Sequence, residues 1–141
     1  MTQTTMFSGG CLCGMVRYGA STAPIRGVMC HCSMCRKHSG APALAFVHFD
    51  SEHFKWLAQP PAAYSSSEFA KRLFCATCGS TLGMWEQVLN DRVQVCIGSL
   101  DEPSRVHIDD HVWTSSKVDW FETTDSLPRF AKSSSAVLSK A

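Results

Sequence analysis

The 141-residue chain is predicted to fold as an all-β domain. Three observations support that class. Short runs rich in β-branched and aromatic residues recur, separated by Gly, Pro, Ser and Asp. Helical periodicity is weak along the whole chain. Seven of the eight cysteines gather in three tight motifs whose spacing belongs to metal-binding turns.

Strands are expected in order at Gly14–Ala20, Gly27–His31, Ala43–Phe49, Phe54–Leu57, Lys71–Phe74, Thr81–Trp85, Arg92–Ile97 and His111–Ser115. Alternation in the Arg92–Ile97 run puts Val93, Val95 and Ile97 on one face and Cys96 on the other. The one good helical stretch is short, Ser33–His38. It opens at a candidate N-cap, Ser33, and stops at Gly40 and Pro42. The polar ends, residues 1–9 and 133–141, are expected to be flexible. No linker, repeat or low-complexity tract interrupts the rest, so residues 1–141 read as one domain.

Bulk composition excludes some function classes. The hydrophobic share is 45% and the charged share 18%, ordinary for a globular protein. A formal net charge of +1 gives no field to draw a polyanion, so nucleic acid and acidic membrane are not expected partners. Residues 1–10 lack a basic region followed by an apolar run, and no stretch has the length of a membrane span. The expected location is cytoplasmic, where thiols stay reduced, and that favours metal over disulfides for these cysteines.

The motifs are Cys11-Leu12-Cys13, Cys30-His31-Cys32-Ser33-Met34-Cys35, and Cys75-Ala76-Thr77-Cys78-Gly79. On an extended chain a C-x-C pair turns both sulfurs to one face. A C-x-x-C-G unit is a zinc knuckle, with Gly79 able to supply a positive φ. Together Cys11, Cys13, Cys75 and Cys78 make a closed tetrahedral set, the mark of a structural zinc that contributes directly to folding. Cys30, Cys32 and Cys35 fit one local loop and give a divalent ion only three ligands. An open fourth position is the mark of a reactive, labile zinc.

Alternatives remain at this level. Disulfides, an iron–sulfur cluster, or a less tidy sharing of the seven thiolates would use the same residues. His38, three residues after Cys35, is a candidate fourth ligand, which would close the second site, or a proton shuttle beside it. His31 alternates away from Cys30 and Cys32. Arg36, Lys37 and His38 read equally as an anion-recognition patch or a solvated helix face. Trp56, Trp85, Trp113 and Trp120, with Phe46 and Phe49, read as pocket lining or, more simply, as core. His48, His53, His107 and His111 show no ligand spacing, Lys117 and Asp119 suggest no chemistry, and Cys96 reads as a buried small hydrophobe.

These motifs resemble the glutathione-dependent formaldehyde-activating enzyme family, which includes the zinc-binding domain of centromere protein V. The resemblance runs from Gly10 to about Phe130. It is carried by Gly10-Cys11-Leu12-Cys13-Gly14, the Cys30–Lys37 run and Phe74-Cys75-Ala76-Thr77-Cys78-Gly79. Gly98-Ser99-Leu100-Asp101, His111-Val112-Trp113 and Ser116-Lys117 look like the family's later landmarks. The resemblance implies a β-tent of packed antiparallel sheets around a structural zinc on Cys11, Cys13, Cys75 and Cys78, with a labile zinc on Cys30, Cys32 and Cys35. It also implies a carbon–sulfur lyase that forms or cleaves a thiol–aldehyde adduct of the S-hydroxymethylglutathione type. Expected catalytic residues are Cys30, Cys32, Cys35 and His38. Expected partners are glutathione or another small thiol and a small aldehyde, with a homodimer left open. The competing expectation is a non-catalytic, zinc-stabilised β module, which would show exposed apolar patches and no small-molecule pocket.

Overall fold

The alternation in the strand runs builds two sheets in the computed structural model, which describes residues 4–134. The small sheet contains β1 (Phe7–Gly10), β2 (Arg17–Ala20) and β5 (Phe54–Trp56), in the order β1-β2-β5. The large sheet is built from β3 (Arg26–Cys30), β4 (Leu44–Asp50), β6 (Ala62–Ser67), β7 (Ala70–Phe74), β8 (Thr81–Glu86), β9 (Arg92–Cys96) and β10 (Asp110–Val112). Its order is β10-β3-β4-β9-β8-β7-β6. One helix, α1 (Ser33–Ser39), follows β3.

β4 is buried on both of its faces from Phe46 to Phe49, which is why it reads as a nearly continuous apolar run, whereas β9 alternates. On one face Val47, Phe49 and Val95 meet Phe7, Tyr18 and Phe54 of the small sheet, with Val93 and Ile97 packed alongside. On the other face Val28, Phe46, Met84, Cys96 and Val112 gather beside Cys30 and Cys35. The predicted division of β9 is therefore observed: Val93, Val95 and Ile97 face the small sheet, and buried Cys96 faces the second cysteine loop.

Three expectations are corrected. Residues 7–9, within the end expected to be flexible, belong to β1, because Phe7 is buried in the first core and β1 pairs with β2 from Phe7↔Ala20 to Gly10↔Arg17. Towards the other end Ser134 is buried, and Lys132 and Phe130 carbonyls accept from Trp113 and Thr114 amides. The expectations for residues 1–3 and 135–141 lie outside the described residues. Finally, the sheets are not wholly antiparallel: β10 pairs β3 in parallel, from Asp110↔Val28 to Val112↔Cys30. The long connection back from β9 makes that pairing accessible.

β8 and β9 approach closely at Gly83, which pairs with Val95. A Cβ on Gly83 would lie 2.0 Å from the Gln94 carbonyl oxygen and 3.1 Å from Val95 Cα. Gly83→Ala is expected to destabilise the protein by about 1–3 kcal/mol, as overpacking does. A urea titration that left the midpoint unmoved would contradict this close approach.

Candidate metal centres

The first cysteine set lies where a turn after β1 meets the turn between β7 and β8. Cys11 and Cys13 are not on an extended strand, as the C-x-C reading supposed, but in a turn. The Cys11 carbonyl accepts from the Gly14 amide at 3.2 Å, and Gly14 has φ 85°. The Cys75–Gly79 knuckle is built alike, with Gly79 N–H donating to the Cys75 carbonyl at 2.9 Å and φ 77° at Gly79. Ser80 ties the turns together: its hydroxyl accepts from the Leu12 amide at 3.0 Å and lies 3.1 Å from Cys78 Sγ. The four sulfurs lie within 4.8 Å of one another.

Sulfur spacing tests whether these residues fit a metal. Cys11 and Cys13 sulfurs are 3.6 Å apart, and those of Cys13 and Cys75 are 3.8 Å apart. A tetrahedral ion with metal–sulfur bonds of about 2.3 Å requires edges of about 3.8 Å. A disulfide requires about 2.05 Å, and all eight cysteines are free. The backbone also suits thiolates: the Val16 amide donates to Cys11 Sγ at 3.2 Å and the Cys78 amide to Cys75 Sγ at 3.4 Å.

Cys30, Cys32 and Cys35 form the second set, also within 4.8 Å of one another. Cys30 ends β3, and Cys35 lies on the buried face of α1. The N-cap of α1 is Cys32 rather than Ser33, and its sulfur accepts from the Cys35 amide at 3.3 Å. A candidate ligand thus closes the helix itself. Hydrogen bonds from the Cys30 and Cys35 thiols pull the Cys32 pKa down, and hydrogen bonding to Cys32 and Cys35 pushes that of Cys30 up.

Arg72 is a member of this site that sequence reasoning missed. It is only 6% exposed, and its guanidinium donates to Cys35 Sγ at 3.2 Å. Three thiolates around a divalent ion leave one net negative charge, and a buried Arg offsets it. A cation on a strand, three residues before a knuckle, resembles any surface residue in a one-dimensional reading. Only the β7–β8 register, Arg72↔Met84, shows that it faces inward.

His31 turns away as expected, into a buried pair with His111. The two rings are joined by a 2.9 Å hydrogen bond, and His111 Nε2 lies 3.1 Å from Asp125. That chain anchors the loop from behind. His38 is not brought into the three-sulfur cluster and does not line the cavity beside it; its carbonyl accepts from the Thr81 hydroxyl at 3.3 Å.

The second set opens into a cavity of about 670 Å³, within the range of small-molecule sites. Phe46 and Trp113 line it, whereas Phe49 and Trp56 belong to the opposite core and Trp120 is exposed. Trp113 has φ 57°, an unusual backbone for so bulky a residue, and stands at the cavity edge.

Residues 6–116 match the family described as Glutathione-dependent formaldehyde-activating enzyme. The chain belongs to this family. It is 29% identical over 133 residues to a putative glutathione-dependent formaldehyde-activating enzyme of Halomonas elongata, covering 83% of this chain and 80% of that protein. It is 32% identical over 84 residues to an uncharacterized lyase of Schizosaccharomyces pombe, covering 54% of this chain and 55% of that protein. The chain thus spans about half the length of the yeast relative. A crystal structure of a Rhodobacter sphaeroides protein shares the fold, with a TM-score of 0.55 at 18% identity, covering 86% of this chain and 98% of that one. Among the described residues no helix is long and apolar enough to cross a membrane.

Proposed function

We propose that the protein is a zinc-dependent carbon–sulfur lyase that forms or cleaves a thiol–aldehyde adduct, of the S-hydroxymethylglutathione type, beside Cys30, Cys32 and Cys35. The observation that carries this reading is three convergent sulfurs opening onto a cavity of about 670 Å³. A non-catalytic interaction module would have no need of that cavity. Cys11, Cys13, Cys75 and Cys78 would hold a structural ion, and the three-cysteine set a second one. Zinc bound there supplies a thiophilic Lewis acid with one coordination position to spare.

The chain's own residues then do the rest. Arg72 offsets the thiolate charge at Cys35, so an incoming thiol sulfur does not meet the full repulsion of three anions. Val28, Phe46, Met84 and Val112 keep water off the reacting carbon. In the forward direction the substrate sulfur attacks the carbonyl carbon, one carbon–sulfur bond forms, and the thiol proton ends on the former carbonyl oxygen. Cleavage reverses each step. As His38 does not line the cavity, the proton is passed by hydroxyls among the lining serines, of which Ser33 adjoins Cys32 in the cysteine loop.

Cobalt substitution tests the reading. Two ions per chain are expected, and addition of glutathione should change the ligand-field spectrum of the more labile one. A spectrum indifferent to thiol, or a single ion per chain in protein loaded to saturation, would count against the open site.

A further inference from the structure

The lining of the cavity bears on which aldehyde is used, an inference that rests on the lyase reading above. Apolar side chains dominate it: Val28, Phe46, Met84 and Val112 below, Phe69 and Val88 at the rim. Their placement follows the strand register. Cys30 pairs with Leu44 on one rung, Val28 with Phe46 two residues on, and His48 with Gln94 two residues beyond that. Four residues of strand span about 13 Å. The cavity is therefore a trough leading away from the sulfurs along the sheet, not a pit above them.

Its charges are few. Among the ionisable lining residues other than the cysteines, Arg72 is committed to Cys35, and Glu86 accepts from Gln94 Nε2 at 2.9 Å. His48 is held neutral, its pKa lowered to about 3 by burial and then by Arg92 and Arg26. Among the described residues no uncommitted cation lines the trough to receive the two carboxylates of glutathione, and Glu86 repels them. Formaldehyde, with a single carbon, would leave nearly all of the apolar wall without a partner.

We propose that the trough takes a neutral, elongated apolar carbonyl compound, an aromatic or medium-chain alkyl aldehyde, while the polar body of the thiol stays at the mouth. The reactive end lies at the Cys30–Cys35 loop beside Met84, and the apolar body runs along Val28 and Phe46 towards Phe69 and Val88 at the rim. Each methylene buried against such a wall strengthens binding about fourfold.

Two measurements on the zinc-loaded full chain test this. The first titrates unreactive alcohols, methanol through butanol, hexanol and octanol with benzyl alcohol, followed by ligand-observed NMR. Affinity should climb with each added methylene, and Phe69→Asp, a change at a residue 60% exposed and therefore tolerable to the fold, should flatten the climb. An affinity independent of chain length overturns the proposal. The second measures glutathione-dependent turnover of formaldehyde, hexanal, octanal and benzaldehyde by exchange NMR. The expected order places the longer aldehydes at least tenfold above formaldehyde in kcat/KM. Fastest turnover of formaldehyde overturns the substrate class and leaves the lyase reading standing. A climbing alcohol series with no turnover of any aldehyde overturns the lyase reading and leaves the ligand class standing.

Discussion

Replacing Cys75 with serine is expected to abolish the cooperative fold at room temperature. Cys75 is 1% exposed and packs with Val16, Leu73 and Leu82, so its sulfur sits at the joint between the two sheets. Metal binding to a closed site of four thiolates contributes about 10–16 kcal/mol of folding free energy in small zinc domains. Whole domains of ordinary size are stable by only about 5–15 kcal/mol. Losing one of four ligands, and burying a hydroxyl in its place, consumes most of that margin. Cys96→Ala is the matched control. It deletes a sulfur that is equally buried but belongs to neither cluster, and is expected to cost about 1 kcal/mol through the small cavity it leaves. Near-ultraviolet circular dichroism and urea unfolding, each with and without chelator, separate the two. A Cys75→Ser protein with the unfolding midpoint of the parent would remove the structural role assigned to this set.

Much of this was legible in the sequence, and what was missed has physical causes. Eight of the ten strands follow from runs of β-branched and aromatic residues, and the two cysteine sets follow from spacing alone. The strands that escaped notice lack the signal that marks the others. β6 reads Ala-Ala-Tyr-Ser-Ser-Ser, an exposed edge strand with Tyr64 65% exposed and no buried face to impose alternation. β1 reads Phe-Ser-Gly-Gly, where one aromatic residue supplies the burial and a side chain on Gly9 would collide with the Tyr18 ring. Within the site, Arg72 and the His31–His111 pair join residues 37 and 80 positions apart. No local pattern encodes such a meeting; register does. Family membership, for its part, names a reaction class. This chain's match covers only 55% of the yeast relative's length, so substrate has to be argued from the trough.

Arg72→Met should weaken metal binding at the three-cysteine site by about 10–100-fold, the usual cost of removing a group that supports a metal ligand through a hydrogen bond, and leave the four-cysteine site intact. Methionine keeps the length and apolar stem, so the packing beside Met84 is largely retained and the charge is what is lost. The buried thiolates would then carry a net negative charge with no counter-ion, and the cluster would relieve it by protonation at the expense of the ion. Chelator-driven release should show two phases, of which only the faster accelerates. Arg72→Lys keeps the positive charge but not the guanidinium fork, and is expected to recover part of the affinity. The loss should be larger when a thiol is present, since a fourth sulfur adds another negative charge to the same buried space. Release kinetics unchanged in Arg72→Met would mean that the guanidinium only fills volume beneath α1, and that the charge of the three thiolates is balanced elsewhere.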